Sequence, residues 1–195
     1  MLWKLFLKKL KKMTLTSDVS DINAVLVKRA ADGDESAFNE IYRNISGKMY
    51  SICLRYAADS DDANDIFQDG FIKLYRNLGA YRGEGSFEGW ARRVFVTTSL
   101  DALKKKKVQF SDLEENINIA AKDTTIYDKL NLDHLMNIIK DLPPGYRTII
   151  NLHVIENYSH KEIGDMLGIS ESGSKSKLHQ AKNYLKNILP QAEIE

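Results

Sequence analysis

Apolar residues recur at three- and four-residue intervals along almost the whole chain, and long alternating runs of β-branched residues are absent. That period puts apolar side chains on one face of an α-helix, whereas a half-buried strand would repeat at every second residue. In the first half the stretches "AFNEIYRNISGKMYSICLRY", "DANDIFQDGFIKLYRNL" and "SFEGWARRVFVTTSLDALKKKK" each predict one helix. Asp62 is expected to cap the second. Ser86 opens the third after the Gly-rich turn "RGEG", with Phe87 and Trp90 just inside. From Val108 to about Thr125 the period fades and "SDLEEN" turns acidic, which predicts a linker. A second block runs from about Ile126 to Leu189 and is broken at "LPPGYR", where paired prolines end one helix and begin another. The expected fold is all-α. Two small helical domains, over residues 21–107 and 126–195, are joined by a flexible acidic linker over 108–125, and a basic tail over 1–20 precedes them.

The C-terminal block carries the most specific local pattern. Ser159 followed by Glu162 is a capping-box signature, Ile163, Met166 and Leu167 supply an apolar face, and Gly168 ends the helix where a left-handed residue is required. Ser170 then caps a further helix. There Leu178, Ala181 and Leu185 are expected to face inward, while Lys175, Ser176, Lys177, His179, Gln180 and Lys182 project outward. This is the helix-turn-helix pattern, whose second helix enters the DNA major groove with side chains on base edges and lysines on phosphates. The same pattern also fits an ordinary helical hairpin with a solvated face.

Composition narrows the chemistry. At 195 residues and 43% hydrophobic the chain can bury a core, and its net charge of +1 conceals blocks of opposite sign. The single cysteine, Cys53, lies in an apolar-periodic stretch and reads as a small buried hydrophobe. It excludes an internal disulfide and a paired-thiol zinc site, and suits a reducing cytoplasm. The opening "MLWKLFLKKLKKM" is interrupted by Lys4, Lys8 and Lys9, so it has no unbroken apolar core for a signal peptide or membrane span. Three readings of it stay open: a basic tail, a membrane-surface or partner-binding helix, or sequence upstream of a true start at Met13.

A second basic feature lies in the first block. Arg92, Arg93 and Lys104 to Lys107 surround Val94, Phe95, Leu100 and Leu103, with Tyr81, Phe87 and Trp90 just before. Cations interleaved with aromatics suit melted single-stranded DNA, whose bases need stacking surfaces. No enzyme pattern competes: His134, His153, His160 and His179 show no metalloprotease spacing, no phosphate loop is present, and the carboxylates scatter. No cofactor or metal is expected.

These motifs, in this order over roughly residues 30 to 190, resemble a bacterial RNA polymerase sigma factor of the extracytoplasmic-function class. The resemblance implies that the first domain binds core RNA polymerase and melts the −10 promoter element, while the second reads the −35 element as duplex. By the same resemblance Asp65, Gln68 and Asp69 fall on the polymerase-binding helix, and Arg92, Arg93 and Thr97 fall on the −10 helix, which Lys104 and Lys105 extend. Lys175, Ser176, His179 and Gln180 fall on the −35 reading face, with Lys177 and Lys182 at basic positions. It also implies promoter DNA, core polymerase and an anti-sigma factor, often membrane-anchored, as partners, and a cytoplasmic location.

Three positions depart from the family's usual residues. Thr97 stands where Asn is usual, Gly164 where Ala is usual, and Ser174 where a buried Val is common. Ser174 is expected to cost apolar burial, on the order of a kcal/mol, and to leave the second domain marginally stable before it binds. The rival reading is a conventional helix-turn-helix repressor or activator, which would need a dimer face or ligand pocket in place of the first block.

Overall fold

The computed structural model describes residues 22–106 and 137–188, which fall into two separate compact units. The basic segment 1–20 and the linker 108–125 lie outside the described residues. Every described segment of regular structure is helical.

The first unit holds α1 (Ala24–Ala31), α2 (Glu35–Tyr56), α3 (Ser60–Arg76) and α4 (Phe87–Lys105), with a 3-10 turn at Leu78–Ala80 before the last. Each helix starts on a short polar side chain that satisfies an otherwise unpaired amide. Asn23 accepts from the Leu26 amide at 2.8 Å, Asp34 from Ala37 at 3.1 Å and Ser86 from Gly89 at 3.1 Å. On α3 the cap is Asp59 rather than Asp62: the Asp59 carboxylate accepts from the Asp62 amide at 2.8 Å. Asp62 instead reaches back to the Ala58 amide at 2.8 Å and pairs with Lys106 at 2.6 Å, so it locks the turn and ties α3 to the end of α4. The acidic run "DSDD" supplies both residues, and spacing alone does not say which one caps.

Phe95, fully buried on α4, is the centre of this unit. Its ring lies 6.1 Å from Phe67 and 5.1 Å from Phe71, both on α3, in tilted and edge-on arrangements that suit the ring quadrupoles. Close approach depends on Gly70, where an added Cβ would stand 2.4 Å from the Phe95 ring. Ile41, Ile45, Met49 and Ile52 of α2 complete the core. Cys53 is fully buried among them, and burial pushes its thiol up to about 12, so it is packing material. Lys48 with Glu88 and Lys73 with Asp101 fasten α4 to α2 and α3 at 2.5 and 2.9 Å.

The second unit begins with helical residues 137–140. It continues through α5 (Pro144–Ile150), a π turn over Asn151–Ile155, α6 (His160–Leu167) and α7 (Glu171–Ile188). Pro144 opens α5, as the paired prolines predict. The π turn shows in the Glu156 amide reaching the Asn151 carbonyl at 2.9 Å, and Asn157 follows in the left-handed region at φ 59°. Ile139, Leu142, Ile149, Ile150, Ile163 and Leu185 make an aliphatic core, with no buried aromatic ring among the described residues of this unit.

Candidate nucleic-acid interface

The helix-turn-helix is built from the local chemistry its sequence announces. Ser159 accepts from the Glu162 amide at 3.2 Å while the Glu162 carboxylate accepts from the Ser159 amide at 2.8 Å, closing the capping box. Gly168 ends α6 at φ 72°, and the amides of Gly168 and Ile169 both donate to the Gly164 carbonyl, at 2.8 and 3.0 Å. That turn explains Gly164: a Cβ there would lie 2.7 Å from the Ile169 carbonyl oxygen. Ser170 then accepts from the Gly173 amide at 2.9 Å and opens α7.

On α7 the inner face is Ser174, Leu178, Ala181 and Leu185, all buried. Lys175, Ser176, His179 and Gln180 are exposed, as expected. Lys177 is not: it is only 7% exposed. At 3.6 residues per turn it shares the inward face with Ser174 and Ala181, and its stem lies over α5, with Cε 3.7 Å from the place a Cβ on Gly145 would occupy. The outward projection expected of Lys177 is therefore corrected, and Lys182 is half-buried rather than fully exposed. Lys175 pairs with Glu171 at 2.6 Å, with both side chains at least half exposed. Such a pair is worth about 0–1 kcal/mol, so the ammonium can exchange it for a phosphate at little cost. The exposed Asn183, not singled out by the sequence, sits 3.0 Å from Nε2 of His179 and holds that ring in place.

The buried Ser174 hydroxyl is paired with Nδ1 of His160 at 2.9 Å. Burial without a partner would carry the full desolvation cost, and this bond removes much of it.

In the first unit the candidate residues fall on two surfaces. Asp65, Gln68 and Asp69 are all exposed on one stripe of α3, which continues into Ile72 at 48% exposure. Beside this helix Phe38 packs edge-on to Tyr75 at 4.8 Å and Tyr42 lies 4.6 Å from Phe71, leaving Tyr42 and Tyr75 40% and 48% exposed. This aromatic patch is not among the sequence-based expectations, although the spacing of Phe67, Phe71 and Tyr75 at four residues signals it.

On α4, Arg93, Thr97, Lys104 and Lys105 are exposed and Arg92 is half-buried. The Thr97 hydroxyl lies 2.9 Å from the carbonyls of both Arg93 and Val94, so its proton is committed to the helix and a lone pair and a methyl face outward. At the other end Tyr81, Phe87 and Trp90 form a cluster with centroids 5.3 to 5.7 Å apart. Phe87 is buried; Tyr81 and Trp90 are partly open, and the Tyr81 hydroxyl donates to the Gly85 carbonyl at 2.8 Å, bracing the loop before α4. Among the described residues no helix is long and apolar enough to cross a membrane, and no three His, Cys, Asp or Glu side chains gather as a metal site requires.

Comparison with known proteins agrees with this layout. Residues 41–108 match the Sigma-70 region 2 family and residues 132–185 match Sigma-70 region 4. The chain is 28% identical over 178 residues to the ECF RNA polymerase sigma factor SigW of Bacillus subtilis, covering 84% of this chain and 94% of that protein. It is 29% identical over 175 residues to the ECF RNA polymerase sigma factor SigE of Mycolicibacterium smegmatis, covering 85% and 67%. Its fold resembles CnrH, solved in complex with the cytosolic domain of CnrY, at TM-score 0.51 and 18% identity over 89% of this chain and all of that one. It also resembles the sigma factor RpoE, solved with the anti-sigma factor NepR from Bartonella quintana, at TM-score 0.52 and 19% identity over 80% and 98%. With a region 2 unit followed by a region 4 helix-turn-helix, the chain belongs to the sigma-70 family, as a sigma factor of the extracytoplasmic-function class.

Proposed function

We propose that the two units divide promoter recognition as their surfaces suggest. The unit over 21–107 engages core RNA polymerase through Asp65, Gln68 and Asp69 and handles the melted −10 element with α4. The unit over 126–195 presents α7 to the −35 duplex. What carries the reading is the pairing, on one chain and in family order, of an acidic-polar face on α3 with a polar, lysine-bearing face on α7.

On α4 the exposed Arg93, Lys104 and Lys105, with Arg92 beside them, supply cations for a single strand, and Trp90 and Tyr81 supply ring surface for unstacked bases. Thr97 offers no amide, so a base read there meets a lone pair and a methyl group rather than the paired donor and acceptor of Asn. On α7, Gln180 can present a donor and an acceptor together to an adenine edge, and His179 and Ser176 lie on the same exposed side. Lys175 and Lys182 serve phosphates. Lys177 acts through the fold and leaves the reading face to its neighbours.

Partners follow from the family: core polymerase, promoter DNA and an anti-sigma factor, a class that includes membrane-anchored proteins. The place of action is the cytoplasm, and the chain itself performs no catalysis. The match of both units to sigma-70 regions favours this reading over a conventional repressor.

Gel filtration with core polymerase tests the assignment. The wild-type chain should co-elute, and Asp65→Lys combined with Asp69→Lys should weaken association by about 2 kcal/mol or more while helicity by circular dichroism stays the same. Wild-type affinity in the double variant would refute the role given to α3.

A further inference from the structure

The helix-turn-helix unit contains two imidazoles that DNA reading leaves unused. His153 in the π turn and His160 at the start of α6 stack face to face, with centroids 4.2 Å apart and planes 18° from parallel. Each ring is anchored through Nδ1: His153 on the Tyr158 carbonyl at 3.0 Å, His160 on the Ser174 hydroxyl at 2.9 Å. Since Tyr158 can only accept there, Nδ1 of His153 carries the proton, and a neutral ring leaves Nε2 bare. Ser174 sits fully buried on the inner face of α7. The ring pair thus joins the π turn, α6 and the reading helix.

A proton on both rings would set like charges face to face at stacking distance. The surroundings give little relief. Partial burial, then His153, then Lys175 and Lys182 from α7 disfavour a charge on His160, which is held below the ordinary histidine value. Glu171 of α7 is the carboxylate that favours the charge, and it is already bonded to Lys175 at 2.6 Å. His160 also occupies the first position of α6, where the positive end of the helix dipole repels a cation.

We propose that the His153–His160 stack is a pH-sensitive latch, which holds the π turn and α6 against α7 while both rings are neutral and releases them when the pair is protonated. Because the folded chain takes the proton less readily than the unfolded one, the latch stabilises the unit at and above neutral pH. That contribution is lost as pH falls below the ordinary histidine value toward the lower folded one. Weaker −35 binding in acid would follow, and this consequence rests on the role proposed for α7; the latch itself does not.

The test is amide hydrogen exchange of the full chain, read by NMR from about pH 7.5 to about pH 5 and corrected for intrinsic rates. In the wild type, protection of α6 and α7 should fall by up to about tenfold per pH unit below the ordinary histidine value, while α2 and α4 keep theirs. His160→Asn, whose amide can still reach Ser174 but takes no proton, should flatten that dependence. Acid exchange that leaves α6 and α7 unchanged in the wild type, or that stays fully pH-dependent in His160→Asn, overturns the proposal. If His160→Asn is unfolded at neutral pH, His153→Phe replaces it, since the ring stack survives without a second charge. Acid opening should then be weaker, and undiminished opening overturns the proposal equally.

Discussion

The two units solve the same problem, a small helical core, with different materials. In the unit ending at Lys106, Phe95 packs against Phe67 and Phe71 across a glycine, and ion pairs fasten α4 to both α2 and α3. In the unit described from residue 137 the core is aliphatic, and the polar Thr148, Asn151 and Ser174 are buried with it, as Arg55, Thr98 and Ser99 are in the first unit. Ring packing is insensitive to pH and salt. The stack of His153 on His160 sets two ionisable rings face to face. The first unit is thus centred on packed rings, and the second on aliphatic side chains with a stacked histidine pair beside them.

The largest way to break this contrast is at Phe95. Phe95→Ala should remove about 3–5 kcal/mol from the first unit, because a large fully buried ring leaves a cavity that α2 and α3 cannot close. Chemical denaturation of the full chain, followed by NMR signals from each unit, should show that loss in residues 22–106 and unchanged stability in 137–188. Equal loss in both would contradict their independence.

A smaller effect sharpens the contrast on α7. Gln180→Ala should cost roughly 1–3 kcal/mol on the preferred −35 sequence and relax preference at one base pair. Lys182→Ala should weaken all sequences about equally and lower the salt-dependence slope by about one. Fluorescent −35 duplexes titrated with holoenzyme across a salt series measure both. A change of base preference in Lys182→Ala with none in Gln180→Ala would place α7 wrongly in the groove.

How much of this was legible depended on the range of the physics involved. The capping box at Ser159 and Glu162, the left-handed Gly168 and the cap at Ser170 are local, and the structure has them where the sequence puts them. The inward Leu178, Ala181 and Leu185 followed from period alone. The short helix α1 went unread, although Asn23 with Leu26, Val27 and Ala30 carries its cap and apolar stripe. Lys177 was misplaced because composition marks lysine as exposed, whereas the neighbouring Gly145 gives its stem a place to lie. The π turn, the ring stack of His153 and His160, and the partner of Ser174 arise where segments meet, so no single stretch announces them. Gly164 reads as a departure from the family in sequence, and in the structure as the residue that lets Ile169 come close.

The division of labour is tested most directly by hydrogen–deuterium exchange of the full chain, first with core polymerase and then with a −35 duplex added to that complex. Core polymerase should protect α3 peptides spanning Asp65 to Asp69, and the duplex should then protect α7 peptides spanning Ser172 to Gln180. Protection of α7 by duplex with α3 left open by polymerase, or the reverse assignment of the two surfaces, would contradict the account.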